Sequence, residues 1–92
     1  MTQKVGRKVR LYGRVQGVFF RQWAVHQANE LGVSGWVRNL SDGSVEAHVA
    51  GDEDKISQMV ARLRQGPSGA RVEDIAIDVT EPEEIDGFSV RT

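Results

Sequence analysis

The stretch from Gly13 to Arg21 contains the residue types best suited to binding an anion. Gly13 and Gly17 are four residues apart, so the backbone between them can adopt left-handed conformations that other residues avoid. Successive amides in such a turn converge into an anion-binding nest, and the N-terminus of a following helix adds free N–H donors. Arg21, in the first helical turn, opposes the helix dipole, but its planar guanidinium can hold two phosphate oxygens.

Spacing alone leaves a purely structural explanation of this stretch open. A glycine-rich turn from strand to helix is often only a turn, and an arginine near a helix start is often a solvated side chain. The sequence contains neither the Gly-Lys-[Ser/Thr] of a Walker A loop nor the G-x-G-x-x-G of a dinucleotide-binding fold. An anion site here would therefore be of another kind.

Other polar residues have simple structural explanations. Asn39 falls at the end of a predicted strand, where asparagine frequently bonds its own backbone. His26 is expected on the polar side of a helix and His48 on the outer face of a strand, both as surface residues. Asp42 and Glu46 are expected to serve turn formation and solubility. No grouping of His, Asp and Glu has metal-ligand spacing, so no metal or other cofactor is predicted.

Hydrophobic periodicity predicts the elements that position these residues. Strands are predicted at residues 7–15, 34–40, 44–50, 71–80 and 88–90, and helices at residues 21–31 and 53–65. The apolar residues with helical spacing are Phe20, Ala24, Ala28 and Leu31, then Ile56, Met59, Val60 and Leu63. Asp42-Gly43 between two strands predicts a hairpin with a type I′ turn, which needs positive φ at both central positions.

The order β-α-β-β-α-β with a tail strand is typical of a ferredoxin-like α+β sandwich. We expect an antiparallel sheet with both helices on one face and a short extra C-terminal strand. In the fourth strand, Ile75, Ile77 and Val79 are expected to point inward. One domain is expected over residues 1–92, with residues 1–6 as a flexible N-terminus.

Composition excludes several classes of protein. The net charge of −1 gives no overall attraction for nucleic acid or an anionic membrane, and no apolar run reaches the roughly 20 residues of a membrane span. The absence of cysteine excludes disulfides, thiol nucleophiles and thiolate metal sites. Because no apolar stretch at the start resembles a signal peptide, a cytoplasmic protein is expected.

Charge is nevertheless distributed unevenly along the chain. Residues 1–40 carry seven basic side chains against a single acidic one, and residues 72–92 are mainly acidic. This asymmetry indicates either two differently solvated faces or a cationic site for a small anion near the N-terminus.

Three motifs together carry a resemblance to a known family. The motifs are GRVQGVFFR at 13–21, LGVSGWVRN at 31–39 and DGSVE at 42–46. In this order they resemble the acylphosphatase family, and the similarity extends over nearly the whole chain. The resemblance implies a small ferredoxin-like hydrolase that converts an acyl phosphate and water into a carboxylate and inorganic phosphate. It also implies that no cofactor is needed and that the protein is a monomer.

The resemblance further implies roles for individual residues. Arg21 would bind the phosphate, and Asn39 would position the attacking water. Backbone amides of the loop between the first strand and the first helix would cradle the phosphoryl oxygens. The residues of this loop are Val15, Gln16, Gly17, Val18, Phe19 and Phe20.

Two alternatives concern function, and one further question concerns specificity. RNA-recognition domains share this fold but stack bases on aromatic residues of the third strand, and this third strand contains no aromatic residue. A non-catalytic anion-binding or regulatory module remains the alternative to an enzyme. Tyr12 and Trp23 are either partial cover for the core or contributors to acyl-group preference, and broad substrate tolerance is expected.

Overall fold

The structure, a computed structural model, describes residues 4–92 and contains five strands and two helices in that range. Their order confirms the predicted arrangement. The elements are β1 (Lys4–Arg14), α1 (Phe20–Leu31), β2 (Ser34–Asn39), β3 (Val45–Asp52), α2 (Glu53–Gln65), β4 (Arg71–Thr80) and β5 (Phe88–Val90). No helix in residues 4–92 is long and apolar enough to cross a membrane.

The strands form one sheet in the order β4-β1-β3-β2-β5. Strand β1 pairs antiparallel with β3 and β4, and β2 pairs antiparallel with β3, which confirms the ferredoxin-like fold. The short strand β5 pairs parallel with β2, with Gly35 opposite Phe88 and Val37 opposite Val90. The sheet is therefore mixed, and the C-terminal segment lies beside the end of β2.

One face of the sheet packs against both helices and forms the core. Helix α1 buries the predicted stripe of Phe20, Ala24, Ala28 and Leu31. Helix α2 buries Ile56, Met59 and Leu63, while Val60 of the same predicted stripe is only partly buried. Burial of such apolar faces is the main free-energy gain that holds α1, and therefore the loop before it, against the sheet.

At the edges of the sheet, one expectation is wrong and another is only partly met. Strand β1 begins at Lys4, so residues 4–6 are not a flexible terminus: they pair with residues 50–52 of β3, and residues 1–3 lie outside the described residues. In β4, Ile75, Ile77 and Val79 lie on the helix-covered face as predicted, but only Ile75 is partly buried, whereas Ile77 and Val79 are exposed. Because β4 is an edge strand, it has a neighbouring strand on only one side.

The hairpin between β2 and β3 forms where it was predicted, but its turn type differs. Gly43 has φ +92°, whereas Asp42 does not have a positive φ, which excludes a type I′ turn. The amide of Gly43 donates to the carbonyl of Leu40, and the amide of Leu40 donates to the carbonyl of Ser44, as in a three-residue loop ending in a glycine bulge. The amide and hydroxyl of Ser44 also donate to the Asp42 carboxylate and lower its pKa.

Glu46 points to the outer face of the sheet as predicted, but it is buried there, with 3% of its surface exposed. Arg38 donates to one carboxylate oxygen at 2.7 Å and 2.9 Å, and Arg10 donates to the other at 3.2 Å. Burial alone would raise the pKa of Glu46, but the two guanidinium groups outweigh it and lower the pKa. Glu46 thus links β1, β2 and β3 across the sheet and is more than a solubilising residue.

His48 also lies on the outer face, and the expectation of a surface histidine is wrong, since only 1% of it is exposed. Its ring stacks on Trp36, with centroids 6.1 Å apart. The segment after β4 covers it: the amide of Glu83 donates to Nε2 at 3.3 Å, and Oε2 of Glu83 lies 3.3 Å from Nδ1. Burial lowers the pKa of His48, and the Glu83 carboxylate offsets this only in part.

Candidate active site

The loop between β1 and α1 has the curled backbone that its glycines predict. Gly13 has φ +121°, at a register shift between β1 and β4, and Gly17 has φ +74°. Phe19 also adopts the left-handed conformation, with φ 60° and ψ 26°, and directly precedes α1. Three positive φ values within seven residues turn the chain sharply from the strand into the helix.

Several backbone donors of this loop have no partner within the part of the chain that the structure describes. Among residues 4–92, no other residue accepts a hydrogen bond from the backbone N–H groups of residues 16–19. Helix α1 has no side-chain cap, since Phe19 occupies the N-cap position, and its first turn contains no acidic residue. Free amides and an uncapped helix N-terminus at one place attract negative charge.

Gln16 fixes the loop to the β2–β3 hairpin. Its side-chain Nε2 donates to the carbonyl of Leu40 at 2.8 Å and to that of Ser44 at 2.9 Å. These two carbonyls belong to the turn that follows Asn39. The amide side chain of Gln16 thereby sets the position of the loop relative to the end of β2, a role that sequence reasoning did not find.

The loop, α1 and the end of β2 enclose a cleft of about 520 Å³. The predicted site residues that line the cleft are Val15, Gln16, Gly17, Phe19, Phe20, Arg21 and Asn39. Val18 of the predicted set is half-buried and packs against the core instead. Gln22 and Val90 complete the lining. The tertiary structure therefore brings the two motifs of the sequence to one place.

Arg21 is the charged side chain of this cleft, and none of the other described residues that line it is charged. It lies in the first turn of α1 and makes no ion pair with residues 4–92. By contrast, Arg10 and Arg38 of the basic N-terminal half pair with Glu46 on the outer face. The basic half is therefore not a single cationic patch, and Arg21 supplies the positive charge of the cleft.

Asn39 ends β2 and lines the cleft. Its Oδ1 atom is buried and has no hydrogen-bond partner among the described residues. A buried acceptor without a partner lowers the stability of the folded protein by about 1–3 kcal/mol. Such atoms are therefore uncommon, and each one needs a physical explanation. The alternative that Asn39 only bonds its own backbone does not describe this side chain.

The acylphosphatase family model matches residues 7–90, a span that contains the loop, Arg21 and Asn39. The chain belongs to the acylphosphatase family. Among its relatives in this family, a protein named acylphosphatase from Rhizorhabdus wittichii is 46% identical over 86 residues, covering 94% of this chain and 87% of the relative. The acylphosphatase of Thermococcus kodakarensis is 46% identical over 88 residues, covering 96% and 97%.

A solved acylphosphatase structure has the same fold over the full chain. The structure of an acylphosphatase from Coxiella burnetii superposes with a TM-score of 0.92 at 38% sequence identity, covering 99% of this chain and 100% of that one. The family assignment therefore rests on sequence and on fold alike.

Two parts of this acylphosphatase-family cleft were missed from the sequence. Gln22 follows Arg21 directly and could have been found from its position in the first helical turn. Nothing in the sequence around Val90 predicts that it lines the cleft, because it reaches the cleft only through the parallel pairing of β5 with β2. The two aromatic residues considered for acyl-group preference, Tyr12 and Trp23, do not line the cleft. Trp23 packs edge-on against Phe20, with ring centroids 5.4 Å apart, and partly covers the core.

A metal site was not predicted, and residues 4–92 contain no group of three His, Asp or Glu side chains able to hold one. The polar groups of the cleft are one guanidinium, carboxamides and backbone amides. Guanidinium and amide N–H groups are donors that suit an oxyanion rather than a cation.

Proposed function

We propose that this chain hydrolyses acyl phosphates at the cleft between the loop and β2. The reaction takes R–CO–O–PO₃²⁻ and water to a carboxylate and inorganic phosphate: the bond between phosphorus and the bridging oxygen breaks, and the water oxygen bonds to phosphorus. Membership of the acylphosphatase family supports the assignment. The observation that carries it is that one cleft is lined both by an arginine without an ion pair and by an asparagine whose amide oxygen has no partner, among residues 4–92.

Arg21 and the loop amides hold the phosphoryl group. The guanidinium can donate two parallel hydrogen bonds to phosphate oxygens, and the free N–H groups of residues 16–19 donate to the remaining oxygens. Phosphoryl transfer has a loose transition state with charge spread over these oxygens. Donors already fixed by the fold therefore stabilise the transition state without reorganising.

Asn39 positions the attacking water. Its side chain lines the cleft and its Oδ1 atom has no partner within residues 4–92, so the carboxamide is free to hydrogen-bond a water molecule there. Little bond formation to the nucleophile has occurred at a loose transition state, so orientation matters more than deprotonation. Gln16 keeps this oxygen at a set distance from the loop by its bonds to the hairpin.

The leaving group explains why the cleft needs no general acid. A carboxylate has a conjugate-acid pKa of about 4, judged from side-chain carboxyls, so it departs without being protonated. Neither His26 nor His48 lines the cleft.

A non-catalytic anion-binding module is the second candidate, and it explains less. Arg21 and the loop would suffice for binding an anion, and a binding module gives no role to the unpartnered oxygen of Asn39. A monomeric state and a cytoplasmic location stay predictions.

The test is a continuous assay of benzoyl phosphate hydrolysis in the presence of a chelator, with inorganic phosphate added as a competitor. We expect turnover that the chelator does not reduce and that phosphate inhibits competitively. Binding of phosphate without release of benzoate would favour the non-catalytic module. Loss of turnover on chelation would contradict a mechanism that uses only the side chains and amides of the chain.

A further inference from the structure

Two large hydrophobic side chains at the cleft are exposed although the fold does not need them there. Four such side chains are exposed in residues 4–92, namely Phe19, Ile77, Val79 and Val90. Ile77 and Val79 belong to the edge strand β4, whereas Phe19 and Val90 line the same cleft. Single exposed apolar residues are common on protein surfaces, but a pair on the wall of a concave site indicates contact with a ligand.

A phenylalanine at position 19 does not favour the stability of the fold. It is 80% exposed, so it gains little from core packing, and its φ of 60° places a bulky side chain in a conformation that favours glycine or asparagine. The turn itself therefore does not call for an aromatic residue. The remaining use of the ring is at the cleft that it lines.

Val90 extends the apolar surface beyond the cleft. It is 41% exposed on β5 and also lines a second groove of about 500 Å³, together with Val25 and Phe88. Gln22 and Val90 line both depressions. An apolar group that leaves the cleft past Val90 would therefore meet further apolar side chains of α1 and β5.

The size of the cleft agrees with a ligand larger than phosphate. Its volume of about 520 Å³ lies within the roughly 300–1,000 Å³ of pockets that enclose whole small molecules. The loop amides and Arg21 hold the phosphoryl group, and Asn39 holds the water. The apolar part of the wall is left for the acyl group of the substrate.

We propose that Phe19 and Val90 form an acyl-group subsite that selects aromatic or extended apolar acyl phosphates over acetyl phosphate. This inference rests on the proposed function and adds a substrate class to it. It also replaces the expectation of broad tolerance, and it assigns acyl preference to Phe19 and Val90 rather than to Tyr12 or Trp23. The acyl group packs between the two side chains while the phosphoryl group lies on the loop.

Binding of two non-hydrolysable probes, benzoylphosphonate and acetylphosphonate, measured by calorimetry, tests the subsite without requiring turnover. We expect the protein to bind the benzoyl probe about five- to tenfold more tightly. Phe19→Asn, which suits a positive φ, should remove most of this preference, and Val90→Thr, which keeps the shape of the side chain, should reduce it about twofold. The matched control is Val79→Thr, the same change at a residue 81% exposed on β4, and it should leave the preference unchanged.

The ratio of kcat/KM for benzoyl phosphate to that for acetyl phosphate should follow the same order among the variants. A fall in kcat/KM that affects both substrates equally, for example because the loop is disturbed, cancels in this ratio. Equal affinities for the two probes, or a preference that Phe19→Asn and Val90→Thr leave intact, would overturn the subsite. A preference for the benzoyl probe without hydrolysis of either substrate would overturn the proposed function and leave the subsite standing. Binding of neither probe would overturn both.

Discussion

The cleft and the outer face of the sheet are built from similar residues but differ in how completely their polar groups are paired. On the outer face, Glu46 accepts hydrogen bonds from Arg10 and Arg38, and His48 is held by Glu83. In the cleft, Arg21 has no ion pair within residues 4–92, and the Oδ1 of Asn39 has no partner there. These outer-face groups are paired within the protein, whereas Arg21 and the Asn39 oxygen in the cleft have no such partner among residues 4–92.

This difference teaches that a shifted pKa does not by itself indicate the active site. The two guanidinium groups lower the pKa of Glu46 and burial lowers that of His48, yet neither residue lines the cleft. Perturbed carboxyls and histidines often accompany catalysis, but structural networks perturb them too. In this molecule, unsatisfied groups around a cavity are the more informative signal.

The largest expected effect is the loss of Arg21. Arg21→Ala should lower kcat/KM for benzoyl phosphate by about 10³-fold, because a charged donor to the transition state is removed, and should leave the unfolding midpoint in urea nearly unchanged. Arg21→Lys should recover only a small part of the kcat/KM that Arg21→Ala loses, since an ammonium group cannot donate two parallel hydrogen bonds to the phosphate. The paired arginine is the control: Arg38→Ala should lower stability and spare kcat/KM. The reverse pattern would show that the distinction between the two regions is mistaken.

Asn39→Ala should lower kcat by about 10²-fold while changing the inhibition constant of phosphate less than about twofold. The variant also loses a buried acceptor without a partner, so its free energy of unfolding should not fall. A parallel loss of phosphate affinity would mean that Asn39 binds the phosphoryl group and does not position the water. Steady-state kinetics and phosphate inhibition on the same preparation measure both quantities.

Glu46→Gln should lower the free energy of unfolding by about 1–2 kcal/mol, since two partly exposed guanidinium groups lose their carboxylate. Urea denaturation measures this change. Glu84→Gln, at an exposed position without an ion pair in residues 4–92, is the control and should have little effect. Both variants should retain kcat/KM, and a specific loss of activity in Glu46→Gln would connect the outer face to the chemistry.

The smallest expected effect concerns pH. The folded protein lowers the pKa of His48, because burial and the nearby charges of Lys8 and Arg91 disfavour the imidazolium and outweigh Glu83. The unfolded state then binds a proton first, so stability is lost as pH falls below about 6.5 and is unaffected at higher pH. Protonation would also place an N–H on Nε2, which now accepts the amide of Glu83.

Thermal unfolding at about pH 7.5 and about pH 5.5 measures how much stability the protein loses between these two pH values. Comparing this loss between variants isolates the contribution of His48 from that of the other titratable groups. The Tm of the unchanged protein should fall by about 2–4 °C more than that of His48→Gln. His26→Gln, at an exposed position on α1, should retain the full pH dependence. If the His26 variant lost it instead, the buried histidine would not be its source.

Sequence reasoning predicted the fold well because local patterns decide most of it. The apolar stripe of α1 and the glycines of the loop act within a few residues of one another, and the structure confirms both. The same reasoning failed on Glu46 and His48, which occur in an alternating pattern that shows the face of the sheet but not what covers that face. It also did not predict that Ile77 and Val79 are exposed, because periodicity shows the face on which a residue lies but does not distinguish an edge strand from a central one.

By itself, the sequence determined the curled loop, the arginine at the start of α1 and the asparagine at the end of β2, since backbone preferences and periodicity depend on near neighbours. Only the tertiary structure decided that these groups share a cleft, that Gln16 ties the loop to the hairpin, and that Val90 joins the wall. The physical reason is that sheet pairing and core packing join segments far apart in the chain. Which polar groups find partners, and which are left for a ligand, is settled only when those segments meet.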